Sequence, residues 1–351
     1  MKINMMKRPS PQQIILFVAL WALCACSTDR QYADVVETGG DVEIQFSSTA
    51  VATNAVTRAA ADTYNNSLPS GSNIGVYIYD SDNIDISTTQ PTASTPSTTW
   101  VYQTVGEADP TTHKSALRLI SHARNPKFPF VTGSNTEFKS YVEVFAVFPN
   151  NSNVTPSTAD YTFTVSSDQT VDNNIKNSDL LTSSLNRYTY DDCNGQLLDL
   201  TLNHRMAKIQ VVFSPKTGSD LTADNMPTNF DVVGVQRSVT VTLNTGDVTT
   251  STDANDKATS LNPIRAFTTS PFFIPPQSVA AGETMLRFNI LSTENFQGID
   301  GATFKVPSGG VTFEAGHSYQ INVTVDVDFN TLTGTITQWS EESMSFEPII
   351  L

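Results

Sequence analysis

The chain has 351 residues, 20 Lys and Arg against 35 Asp and Glu, a formal charge of −15 and three cysteines. So acidic a surface argues against nucleic acid or an anionic membrane as a direct ligand, because binding either needs clustered cations. Charged residues make up only 16%, Thr, Ser, Asn and Val abound, and no long stretch keeps a helical period, which together point to an exported all-β protein.

Lys2, Lys7 and Arg8 precede an apolar run over residues 14–23. Ten residues is about half of what crosses a bilayer as a helix, so the run reads as an export signal and not as an anchor. The segment Leu23-Cys24-Ala25-Cys26 resembles the lipobox of bacterial lipoproteins, with Leu23 three positions before Cys26 and small Ala25 beside it. The resemblance implies removal of residues 1–25 and acylation of Cys26, palmitate included; bulky Leu23 disfavours cleavage before Cys24. The competing reading is an ordinary secretory signal with incidental cysteines. The segment carries three cations and no acid, so its loss leaves 326 residues and a charge of −18. That length suits two domains of roughly 150 residues each. With Cys24 removed and Cys26 acylated, Cys193 has no partner for an intrachain disulfide, and stability must rest on apolar cores.

Residues 27–41 read as a polar tether. Residues 42–47 alternate strictly and predict a strand with Val42, Ile44 and Phe46 facing inward. Residues 49–66 are small and polar and read as an exposed loop carrying Arg58. Strands follow at 74–79, 100–102, 143–148 and 161–165, and 168–186 reads as irregular with a short helix near Leu180. In 197–213, Leu198, Leu200, Leu202, His204 and Met206 share one phase, whereas Ile209, Val211 and Phe213 share the other. A slip without a turn residue means a β-bulge or a strand that switches sheets. Asp192-Cys193-Asn194-Gly195 supplies a joint, which places a domain boundary near residue 195. Downstream strands are expected at 231–235, 239–243, 266–274 (interrupted by Pro271), 285–291, 302–306, 319–325 and 331–339. Short strands with turns between them suggest two β-sandwiches in series.

Several of these pieces together resemble the fimbrillin superfamily of surface lipoproteins, the major and minor fimbrial subunits. They are the lipobox at Cys26, the strand Ile74-Gly75-Val76-Tyr77-Ile78-Tyr79, and Leu202-Asn203-His204-Arg205-Met206-Ala207-Lys208-Ile209. Farther on come Ile274-Pro275-Pro276-Gln277, Phe313-Glu314-Ala315-Gly316-His317-Ser318-Tyr319 and Ile336-Thr337-Gln338-Trp339. The resemblance spans nearly the whole chain. It implies two tandem transthyretin-like β-sandwich domains, assembly into pili on the bacterial outer membrane, and maturation by an Arg-specific protease. The domain plan becomes residues 1–25 as signal, 26–58 as tether and removable strand, 59–195 and 196–342 as the two sandwiches, and 343–351 as a donor strand.

Arg58-Ala59 is the candidate scissile bond, in a loop of small residues of the kind proteases cut; the alternative is that Arg58 is only a solvated loop charge. Cutting there would detach the strand at 42–46, cost the first sandwich an edge, and open a groove that another chain can fill by β-augmentation. The candidate donor is the C-terminus, where Met344, Phe346, Pro348 and Ile350 share one face. Burying four such side chains at about 1.5–3 kcal/mol each gives roughly 6–12 kcal/mol before ordering costs. The other reading of this tail is the last edge strand of its own domain. Expected partners are further copies or paralogous subunits, the maturation protease, and host or bacterial surface ligands. The alternative function is a permanently anchored glycan-binding lipoprotein with an aromatic platform of Trp100, Tyr102, Tyr188 and Tyr190.

No nucleophile elbow, zinc-protease, P-loop or dinucleotide motif appears, so neither an enzyme nor a cofactor is expected. The four histidines include no close pair at metal-ligand spacing. Asp80-Ser81-Asp82-Asn83-Ile84-Asp85 lacks the central Gly and distal Glu of a calcium loop, and no metal site is expected. His204, on a strand among leucines, reads as a hydrogen-bonded packing residue.

Overall fold

Alternation of apolar and polar residues builds this molecule, and where both faces of a strand are apolar it lies between two cores. The computed structural model describes residues 42–51, 68–80, 99–106, 108–109, 111–129, 139–150, 160–242, 245–294, 296–326 and 333–338. In chain order the first half contains β1 (Gln45–Val51), β2 (Asn73–Asp80), β3 (Thr99–Val105), β4 (Lys114–Leu119), β5 (Val142–Phe148) and β6 (Asp160–Thr164). It continues with β7 (Asp168–Gln169), α1 (Asp172–Ser178), β8 (Leu181–Thr182), β9 (Asn186–Tyr188), α2 (Tyr190–Cys193), β10 (Leu197–His204) and β11 (Ala207–Pro215).

Eight of these strands form one sheet in the order β2-β3-β4-β1-β10-β8-β5-β9, and β2 also pairs with β5. The circuit β2-β3-β4-β1-β10-β8-β5 therefore closes on itself, with β8 a two-residue link that pairs with Asn203 and His204 of β10 and with Val147 and Phe148 of β5. Its interior holds Ile44, Phe46, Ile74, Val76, Tyr102, Val144, Ala146, Leu198, Leu200 and Leu202. Every residue of β5 is buried, because Val144 and Ala146 face this core whereas Phe145 and Val147 join a second one.

The second core is covered by β12 (Asn229–Val232), β13 (Ser238–Thr242), β14 (Val248–Thr250), β15 (Ile264–Phe267), β16 (Phe272–Ile274) and β17 (Gln277–Val279). It is completed by β18 (Thr284–Ile290), β19 (Ile299–Lys305), β20 (Val311–Phe313), β21 (Ser318–Val325) and β22 (Thr333–Gln338). The sheets run β16-β11-β21-β22, β19-β18-β12-β15-β7, β14-β13-β6 and β17-β20. The expected strand at 266–274 exists as two pieces in different sheets, β15 and β16, separated at Pro271, which has no N–H to offer a ladder. β4 was not expected from its sequence: Arg118 and Lys114 alternate with half-buried Leu117 and Leu119 only weakly.

The division of strands differs from a joint near residue 195. β10 stays in the first sheet, and the chain crosses to the second at Arg205-Met206, so the phase slip is a strand that switches sheets. In the other direction, β6 pairs with β13, β7 with β15, and α1 packs on β16. Tyr161, Phe163, Ile175 and Leu180 accordingly belong to the second core. Gln169, fully buried, fastens this excursion: its amide nitrogen donates to the Phe273 carbonyl at 2.9 Å and its oxygen accepts from the Phe273 N–H at 2.8 Å.

A polar clamp ties the crossing point to the β13–β14 turn. The Arg205 guanidinium donates to the Thr182 hydroxyl (2.8 Å), to Asp247 (2.9 Å) and to the Thr245 carbonyl (3.3 Å). Thr182 in turn donates to the Gly246 carbonyl. Gly246 sits at φ +70°, and a Cβ there would strike the Ser183 carbonyl oxygen. Gly246→Ala is therefore expected to lower the unfolding free energy by about 3 kcal/mol. Denaturant titration of the purified chain measures this, and an unchanged midpoint would contradict the clamp.

Candidate functional site

β1 lies inside the closed circuit, between β10 and β4. It runs parallel to β10 over its full length, with Phe46 opposite Leu198, Ser48 opposite Leu200 and Ala50 opposite Leu202. Its antiparallel pairing with β4 covers only Ser47 to Thr49. The start of the segment is held on that same flank by a different piece of chain. The Ile44 N–H donates to the Pro126 carbonyl at 2.7 Å, and the Phe128 N–H donates to the Val42 carbonyl at 2.8 Å. Glu43 and Lys127 form a bridge between the two.

The expected inward residues Val42, Ile44 and Phe46 are all buried and share one core. Phe46 meets Tyr102 edge to face at 5.4 Å. Their burial contributes roughly 5–9 kcal/mol before the entropy of ordering the strand. The Tyr102 hydroxyl donates to Asn125 at 3.4 Å, and burial, reinforced by the Glu43 carboxylate, holds its pKa far above the usual phenol range. One expectation changes: the strand is not an edge. Its removal would uncover both β4 and β10, two unpaired rims in place of one.

The rest of β1 was not legible as part of the site. Its inward face continues with Ser48 and Ala50, both buried, and the Ser48 hydroxyl has no hydrogen-bond partner. A buried hydroxyl left unpaired costs about 1–3 kcal/mol. On the outward face, Asp199 of β10 accepts from Ser47 at 3.3 Å and from Thr49 at 3.1 Å. Lys114 of β4 reaches the same carboxylate at 3.3 Å. The available signal was the period-two continuation of the strand past Phe46, set against a single Asp among alternating leucines.

Cys26, Arg58, Ala59, Met344, Phe346 and Ile350 lie outside the described residues. Of the four aromatics expected to form a glycan platform, none is exposed: Tyr102 is in the core, Tyr190 packs edge-on against Phe128 at 5.8 Å, and the half-buried Trp100 ring lies 4.4 Å from that of His122, tilted by 45°. His204 Nδ1 is hydrogen-bonded to the Asp179 carboxylate at 2.9 Å, with both side chains buried. Burial, then the Asp192 charge, push the Cys193 thiol up to about 11, which keeps it protonated and unreactive. Among the described residues no group of His, Cys, Asp and Glu could hold a metal ion.

Comparison with known proteins adds a family and a fold. A family model described as fimbrillin-like matches residues 57–339. The crystal structure of a putative cell adhesion protein from Bacteroides uniformis ATCC 8492 is similar at 18% identity and a TM-score of 0.53, covering 86% of this chain and 100% of that one. A putative cell adhesion protein from Bacteroides ovatus ATCC 8483 is similar at 17% identity and a TM-score of 0.53, covering 87% and 100%. At such identities the likeness is one of fold. No curated protein matches the chain.

Magnitudes separate the two faces of β1. Phe46→Ala should lower the unfolding free energy of the whole chain by about 3–5 kcal/mol, as for other buried aromatics. Lys114→Ala, at a pair whose side chains are 49% and 30% exposed, should change it by less than about 1 kcal/mol. Equal losses in denaturant titration would show that β1 is not anchored through its inward row.

Proposed function

The chain belongs to the fimbrillin-like family, and from that membership we propose how this pilus subunit of the cell surface is prepared for assembly. It is exported as a lipoprotein precursor anchored at Cys26 in the outer membrane. An Arg-specific protease cuts Arg58-Ala59. β1 then leaves the closed circuit, and the alternating C-terminal tail of another subunit, with Met344, Phe346 and Ile350 inward, takes its place. The role is structural and adhesive, not enzymatic.

The observation that carries this reading is the position of β1. It is a stave of a closed ring, and its last residue, Val51, stands seven positions before Arg58 in the sequence. Removing it would uncover a slot rimmed by the backbones of β4 and β10, with Leu198, Leu200 and Leu202 of β10 along one side. Such a slot accepts a strand by main-chain pairing and selects it by apolar side chains on alternate positions. The family match supplies a second support: it spans 57–339, so that both β1 and the tail fall outside the shared body.

Arg58→Ala should leave full-length, monomeric precursor on the cell, whereas mature wild-type protein should begin at Ala59 on N-terminal sequencing. Deleting residues 343–351 should spare folding and cleavage but abolish incorporation into fibres seen by electron microscopy. Fibres of normal length from either variant would refute the corresponding step.

A further inference from the structure

The inward face of β1 changes character halfway along. Val42, Ile44 and Phe46 are apolar and large enough to anchor the strand. Beyond them Ser48 and Ala50 are small, although β10 still presents Leu200 and Leu202 opposite. The Ser48 hydroxyl is buried without a partner, and its other cross-strand neighbour, buried Ser115, does not supply one. Besides the main-chain pairing with β10 and, at Ser47 to Thr49, with β4, the side-chain hydrogen bonds that favour this half lie on the outward face, where Ser47 and Thr49 donate to Asp199. The two faces of the strand therefore act in opposite directions over residues 47–50: the outer face retains it and the inner face does not.

We propose that this half is the release end of β1, and that Ser48 sets how readily the strand is exchanged. The inference rests on the strand-exchange reading above. Residue 51 is the end of β1 nearest Arg58, so a cut there frees the strand at the end whose inward side chains are smallest. Departure proceeds from Val51 towards Val42, with Phe46 and Ile44 leaving last. The incoming strand is that of a second copy, and the chemistry that lets it win is an apolar side chain at the level of Ser48. Beside Leu200 it replaces an unpaired hydroxyl with hydrocarbon, which gains on both the lost polar burial and the new apolar contact. The tail offers such side chains at every inward position from Met344 to Ile350.

The test uses the precursor cut after Arg58 and mixed with a synthetic peptide of residues 340–351, with release of the β1-bearing fragment followed by mass spectrometry. Ser48→Ala should slow release about tenfold, equivalent to about 1.4 kcal/mol. Thr49→Ala, one residue away on the other face, should speed it several-fold. Opposite signs at adjacent positions are what the two faces of the strand require. In the uncut chain Ser48→Ala should raise the melting temperature by about 2 °C. Release of Ser48→Ala at the wild-type rate or faster, the same direction of change in both variants, or a lowered melting temperature would each overturn the proposal. A wild-type cut chain that keeps its fragment in the presence of peptide would instead overturn the strand-exchange reading itself, and this inference with it.

Discussion

Closure of the first sheet is the constraint on which the rest depends. An open sheet can shed an outer strand and remain a sheet with one new edge. A ring cannot: taking β1 out breaks two ladders together and leaves β4 and β10 facing each other across a gap one strand wide. Leu198, Leu200 and Leu202 on β10 would line one side of that gap, and Tyr102, Val144 and Ala146 belong to the same core. A ring with one stave supplied by a segment outside the family match is closed when intact, and loss of that stave would leave a slot one strand wide.

The two cores are interleaved. β5 is shared, with Val144 on one side and Phe145 on the other, and the segment from β6 to α1 belongs to the second core although it precedes β8 and β10 of the first. Arg205 stands where the chain passes from one sheet to the other and spends its guanidinium on the turn around Gly246. The physical consequence is that loss of β1 would be a local event. Among the described residues the second core makes no ladder with β1, and the strands that do, β4 and β10, are held elsewhere by β3 and β8.

Polar groups sit unpaired in the first core and at its border with the second. Besides Ser48, the hydroxyls of Tyr77, Tyr79 and Tyr161 are buried without partners where β2 and β6 approach the second core, and burial raises the pKa of each. These tyrosines are neutral at any physiological pH, so their cost is that of a lost hydrogen bond and not of a buried charge.

The order and character of most strands were legible in the sequence, because period-two patterns such as Val42, Ile44, Phe46 and Leu198, Leu200, Leu202 depend only on which side chains prefer to leave water. The slip between Met206 and Ile209 was legible for the same reason, as a change of the face that is buried. The partners were not. Nothing in residues 160–180 says that they return to a sheet formed a hundred residues later, nothing in the loosely patterned β4 says that it flanks β1, and nothing in Ser47, Thr49 or Asp199 says that they meet across 150 residues. Pattern is a property of one strand, whereas pairing, ring closure and the isolation of the Ser48 hydroxyl are properties of which strands come to lie side by side, and only the tertiary structure decides that.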